Sequence, residues 1–333
     1  MGPSLTVAWF NMKQSPYCFA FCVNDNYVPY ATVAIKSILA NCSVHPLRIY
    51  VLIDYISPSK RKMLSDVHVG YSFVEVRILH VNNNWISGLT VGKWTIHSWY
   101  RILLPALLPE DIDRVLYLDA DTLVLRPLDN LFEMEMEGVS IAGGLDPLSF
   151  QDSTYIRCQY ESRLQYVCSG ILMLNLKYWR EHNLAGQIRN YAIDHCNSLK
   201  FPDQDSINYV CRHDKKVLPL KYSFMEWYYT DKRAAGTLSR EECIDGLEST
   251  HIVHFAGNNP WFKEYSRHLF HSDWRKINKT LKHPVRRKYS TRGWLLIKLL
   301  VWEIVHLRRI DSMWPTKEDI LRDLYNQPSR LSI

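Results

Sequence analysis

Apolar residues run almost unbroken through Tyr17–Val23, stop at Asn24-Asp25-Asn26, and return over Tyr30–Leu39 with Ala31, Ala34, Ile35, Ile38 and Leu39 on one helical face. Leu47–Ile53 reads as a second strand. Ser57-Pro58 then opens a helix over 58–68, because Ser caps and Pro suits a first turn, and Phe73–Val81 reads as a third strand. This β-α-β-α-β rhythm calls for a largely parallel sheet with crossover helices. Farther on, the pattern predicts a helix over Trp94–Leu104 and a strand over Arg114–Leu118, followed by a second apolar stretch, Thr122–Leu128, closed by Pro127. Strands follow at Val139–Gly144 and Ile171–Asn175, helices at Trp179–Cys196 and Asp205–Cys211, and late short strands at Val217–Leu220 and Ile252–Phe255. Between Asp146 and Gln165 the chain is polar and aperiodic, as lids often are.

Composition narrows the class. A chain of 333 residues accommodates one large α/β domain with an appendage, or two modest domains. Its 20 Tyr and 11 Trp supply stacking surfaces for bases or sugars. The eight Cys show no C-x-x-C spacing and sit mostly in apolar segments, so neither a zinc knuckle nor a disulfide framework is expected and a reducing, cytoplasmic setting fits. Residues 1–16 lack the features of a secretory signal and read as a disordered arm.

The net charge of +6 is concentrated at one end. Residues 282–309 hold eight Lys or Arg against the single acid Glu303, so the rest of the chain is near neutral and no nucleic-acid partner is expected. Within that stretch, Trp294–Ile297 and Leu299–Trp302 lie between Arg286-Arg287-Lys288 and Arg308-Arg309. The apolar part is too short for a bilayer span of ~20 residues, and reads as an interfacial helix attracted to an anionic inner membrane face. The plainer reading is a terminal helix packing Leu295, Leu299 and Trp302 onto the main domain.

The chemistry centres on Asp119-Ala120-Asp121, directly behind the strand Arg114–Leu118. Alternate strand residues point to opposite faces, so the two carboxylates converge only if the strand ends and turns there. Carboxylates brought together repel unless a cation lies between them. Asp also caps turns, so the pair alone does not decide the matter. The same sheet-edge rule brings Asn24-Asp25-Asn26 and His254 to the crevice beyond the strand ends. Two carboxylates and an imidazole, with positions left for phosphate oxygens, suit Mn²⁺ and tolerate Mg²⁺.

Leu116–Asp121, Cys168–Asn175, Asp203-Gln204-Asp205 and His254–Trp261 occur in the order seen in glycosyltransferase family 8, and Asp25-Asn26-Tyr27 and Trp94–Arg101 are also similar to it. The resemblance covers residues 17–275. It implies an α/β GT-A fold over residues 17–280, a Rossmann-like mixed sheet flanked by helices, with 281–333 as a basic, aromatic, helical appendage. It also implies a UDP-hexose donor, Mn²⁺, transfer with retention to a glycan or glycolipid acceptor, and a place in lipopolysaccharide or surface polysaccharide synthesis.

Carried over by position, Asp119, Asp121 and His254 would hold the metal. Val23, Asn24, Asn26, Arg101, Ala120, Ser169, Gly170 and Gly257 would line the donor. Asp146 and Asp203 would hold sugar hydroxyls, and Gln204 would lie beside the anomeric carbon. An amide is a poor nucleophile, which favours same-face attack by the acceptor over a covalent intermediate. The sequence departs from the family at Asn24, where an acid is usual, at Cys168, where Asn is usual, and before Pro260-Trp261, where one residue and a Lys are missing. Lys263 would replace that Lys. These departures leave the alternative of a UDP-sugar-binding module without turnover, and a separate, non-sugar reading is a metal-dependent phosphohydrolase, which would need more clustered acids and His.

Overall fold

The computed structural model describes residues 15–42, 45–160, 165–230, 238–257, 259–263, 269–289, 297–298, 300–301 and 317–326. Strands β1 (Tyr17–Cys22), β2 (Leu47–Ile53), β3 (Val74–His80) and β4 (Arg114–Leu118) are parallel in the order β3-β2-β1-β4. The inner strands are apolar on both faces because both faces are covered. Phe19, Phe21 and Ile49 pack to one side with Ala34 and Ile38 of helix α1 (Val28–Asn41), whereas Ala20, Tyr50 and Tyr117 pack to the other with Trp99 and Trp179. Edge strand β3 is only partly covered. Helix α2 (Pro58–Val67) starts where Ser57 and Pro58 predict, and the Asp25 carboxylate accepts from the Ser57 amide at 2.8 Å, tying its start to the end of β1.

Beyond β4 the sheet departs from the parallel pattern. Its order continues β7-β6-β8, with β7 (Val167–Asn175) antiparallel to both β4 and β6 (Ile141–Leu145), and β8 (Lys215–Leu218) parallel to β6. The excursion between β6 and β7 leaves and returns at one sheet edge, where the Asp146 amide donates to the Tyr166 carbonyl at 3.0 Å, so β7 must run back along β6. The sheet is therefore the mixed one that the resemblance implies. A separate antiparallel pair, β5 (Thr122–Val124) with β9 (Ile252–His254), places Thr122 opposite His254.

Several elements differ in detail from their sequence pattern. Trp94–Leu104 is a turn followed by a 3-10 helix over Ile96–Leu103 rather than an α-helix. The segment 179–196 is divided: helices Leu176–Glu181 and Leu184–Asp194 meet at Asn183, whose φ of 49° ends the first. The polar excursion holds a short 3-10 turn, Pro147–Phe150, and the helix Asp152–Cys158. The helix expected from Asp205 begins at Pro202, which brings Asp203 and Gln204 into its first turn.

The helix His271–Lys279 buries Trp274 beside Trp261, ring centroids 6.2 Å apart. Packing does not stop near residue 281, since the Val285 amide donates to Asn278 Oδ1 at 2.7 Å and the Lys288 amide to the Trp261 carbonyl at 3.0 Å. Residues 1–14 and most of the apolar stretch 294–307, Leu295, Leu299 and Trp302 included, lie outside the described residues. No described helix is long and apolar enough to cross a membrane.

Candidate active site

The acidic pair converges because β4 ends at Leu118. The Thr122 amide and hydroxyl both return to the Asp119 carbonyl, at 3.2 and 2.8 Å, closing a turn that redirects Asp121. Pairing of β5 with β9 then carries His254 to the same place, and the Phe255 amide donates to the Asp121 carbonyl at 3.0 Å. His254 Nε2 lies 3.3 Å from Asp121 Oδ1 and 4.0 Å from Asp119 Oδ2. Ligand atoms of Asp119, Asp121 and His254 all fall within 4.8 Å of one another.

Asp119 and His254 are each oriented from behind. Asp119 Oδ1 accepts from the Tyr117 hydroxyl at 2.5 Å and from Arg101 Nη2 at 3.3 Å, which leaves Oδ2 facing His254. His254 Nδ1 lies 3.5 Å from Cys168 Sγ, so the Nε2 side is the one presented to the carboxylates. Burial works against a charged imidazole here, but Cys168 and Asp121 outweigh it and hold the His254 pKa well above its ordinary value. A Cβ on Gly170 would come within 2.5 Å of His254 Cε1 and 2.7 Å of Asp119 Oδ2. Only glycine leaves this space open, and an all-oxygen-and-imidazole set around it fits a hard or borderline divalent ion.

The metal set borders a cleft of two adjoining chambers, of about 550 and 350 Å³. Asp146, Ser169, Gly170, Asp203 and Gln204 line the larger. Val23, Asn24 and Ala120 line the smaller, and Arg101, Asp119, Asp121 and Gly257 line both. Asn26 is exposed and lines neither, facing an outer groove instead, whereas its neighbour Tyr27 lines the smaller chamber. Lys263 also stays outside, with its ammonium 4.4 Å from the Tyr289 ring centre.

Within the larger chamber, Gln204 Oε1 accepts from the Ser169 amide at 2.8 Å, so its carbonyl is occupied and its NH₂ is left to donate. Arg101 is buried, 4% exposed, and bonds the Ser169 carbonyl, Asp119 and, at 3.6 Å, Asp203. Burial raises the Asp203 pKa against the pull of Arg101, and burial likewise raises that of Asp146, opposed by the Leu148 amide that donates to it. Lys93, Trp94 and Trp227, none of them assigned a site role from the sequence, also line the larger chamber. Their signal was faint, a Gly-Lys-Trp turn lying just ahead of an apolar segment.

An open α/β sheet with an acidic pair and a histidine at its strand ends, beside a two-chambered polar cleft, is the GT-A architecture of glycosyltransferases that use nucleotide-sugar donors. The sequence profile of Glycosyl transferase family 8 matches residues 18–264, and the chain belongs to that family. It is similar to a lipopolysaccharide 1,2-glucosyltransferase of Escherichia coli, 26% identical over 285 residues that cover 80% of this chain and 83% of that protein. General stress protein A of Bacillus subtilis strain 168 is 25% identical, covering 80% and 90% respectively. Among solved structures, galactosyltransferase LgtC in complex with donor and acceptor sugar analogues matches with a TM-score of 0.71 at 21% identity, covering 80% of this chain and 96% of that one.

Proposed function

We propose that the chain is a retaining hexosyltransferase that moves glucose or galactose from a UDP-sugar to a glycan or glycolipid of lipopolysaccharide or surface polysaccharide. The observation that carries this reading is one cleft holding Asp119, Asp121 and His254 beside Asp146, Asp203 and Gln204. Asp119 Oδ2, Asp121 and His254 Nε2 would hold a divalent ion, Mn²⁺ or Mg²⁺, which when bound neutralises charge on the departing diphosphate. Val23, Asn24, Ala120 and Tyr27 receive the nucleoside in the smaller chamber.

The sugar then lies in the larger chamber, where the acids of Asp146 and Asp203 accept from its hydroxyls and Gln204 lies beside the anomeric carbon. Gln204 offers no attacking oxygen, because its carbonyl is taken by Ser169. That supports same-face attack by the acceptor hydroxyl. Arg101, fixed on Asp119 and Asp203, links the two chambers and orients both carboxylates.

A thermal-shift screen tests the donor: UDP-glucose and UDP-galactose stabilise the protein only with Mn²⁺, and equal stabilisation by GDP-sugars contradicts the nucleotide assignment. Radiolabelled UDP-hexose with Mn²⁺ tests turnover. Slow release of free sugar is expected, and binding without release would favour the non-catalytic module.

The reading also includes docking on the inner membrane face. An outer groove of about 630 Å³ is lined by Lys60, Arg286 and Lys288 and by no carboxylate, and none of the three cations has an ion-pair partner among the described residues. Such a surface suits phosphate headgroups. Sedimentation with anionic vesicles, lost on substituting all three by Gln and absent with neutral vesicles, is the expected outcome.

A further inference from the structure

The two chambers meet where a diphosphate joining nucleoside to sugar must pass. One wall of that junction carries Asp119, Asp121 and Gly257, and Lys93 also lines both chambers. Every other cation facing the cleft is already committed. Arg101 is held by Asp119, Asp203 and the Ser169 carbonyl, His97 Nε2 lies 2.9 Å from Asp54, and His254 faces the acidic pair. Lys93 has no ion-pair partner among the described residues, only the Trp94 ring, 4.9 Å from its ammonium.

The turn that presents Lys93 is anchored. Gly92 adopts φ +58°, the Trp94 amide closes the turn on the Val91 carbonyl at 3.0 Å, and the Trp94 ring lies 5.1 Å from Phe201, directly before the helix that carries Asp203 and Gln204. A charged side chain is thus presented at the cleft from an anchored turn, with its charge unpaired among the described residues. A nucleoside diphosphate leaves with more negative charge than one divalent ion cancels, so a second cation at the junction stabilises what departs.

We propose that Lys93 is a substrate-binding residue that pairs with the diphosphate of the donor, a role the sequence assigns to Lys263. This rests on reading the cleft as a nucleotide-sugar site. The contact is a charge-assisted one to phosphate, of the kind whose removal weakens binding by about tenfold or more.

The test compares wild type, Lys93→Met and Lys263→Met in Mn²⁺, with UDP followed by calorimetry and uridine by ligand-detected NMR. Lys93→Met is expected to weaken UDP by about tenfold or more while leaving uridine unchanged, with Lys93→Arg restoring most of the loss and Lys263→Met altering neither ligand. Retained uridine binding shows that the variant is folded with an intact nucleoside chamber. Wild-type UDP affinity in Lys93→Met overturns the inference and leaves the nucleotide-sugar reading standing, as does equal weakening of UDP and uridine. Failure of the wild type itself to bind UDP overturns both.

Discussion

Gly170 shows how much of the site depends on an atom that is missing. A methyl group there would stand 2.5 Å from His254 and 2.7 Å from Asp119, so Gly170→Ala must push the metal ligands apart. The expected outcome is a folded protein whose melting temperature no longer responds to Mn²⁺, and an unchanged Mn²⁺ response would contradict the assigned ligand set. Lys215 gives a prediction of another kind. Its ammonium bonds the Tyr160 hydroxyl in a half-buried setting, and the loss of water around it holds its pKa down to about 7 from an ordinary 10.5. Between those two values the unfolded chain keeps a proton that the folded chain has lost, so this group makes stability rise with pH across that window. Lys215→Met should remove that slope. Denaturant titrations should find the variant favoured most below pH 7, with its advantage shrinking towards pH 10, and parallel curves would count against it.

At the scale of elements, the β5–β9 pair is what assembles the metal set, and α1 supports it. Buried Ser37 accepts from the Val124 amide at 2.9 Å while donating to the Ala34 carbonyl at 2.6 Å. Ser37→Ala strands a buried N–H, at a cost of about 1–3 kcal/mol. A loss of a few degrees in melting temperature is the expected result, and an unchanged midpoint would show that β5 is held by other means. Much of this layer was legible in the sequence. Hydrophobic period located β1, α1 and β2, because strands buried on both faces and a helix with one apolar face leave plain patterns, and Ser57-Pro58 located the start of α2. It failed where tertiary pairing decides: nothing local distinguishes the antiparallel β7 from a parallel strand, nor fixes Ile96–Leu103 as 3-10. Asp119, Asp121 and His254 were legible because residue type and strand end agreed. Lys93 was not, since a lone lysine in a turn looks solvated until Trp94 is seen packed on Phe201. Asn26 and Lys263 follow the family's order, yet their side chains stand outside the two chambers because position along a motif does not fix direction.

Across the whole molecule, the parallel half of the sheet furnishes the smaller chamber and the antiparallel half the larger one, with the acidic turn after β4 at the seam between them. That division explains why Arg101, reaching from one half to the other, is so heavily bonded. It also places the basic outer groove beyond Tyr27, which lines both the groove and the smaller chamber of the cleft. The claim on which the whole reading depends is that a divalent ion sits at that seam. Crystals grown with Mn²⁺ and UDP, measured at the manganese absorption edge, examine it directly. A single anomalous peak bounded by Asp119, Asp121, His254 Nε2 and the diphosphate is the predicted result; a peak elsewhere, or UDP bound in the cleft with no peak beside those three side chains, contradicts it.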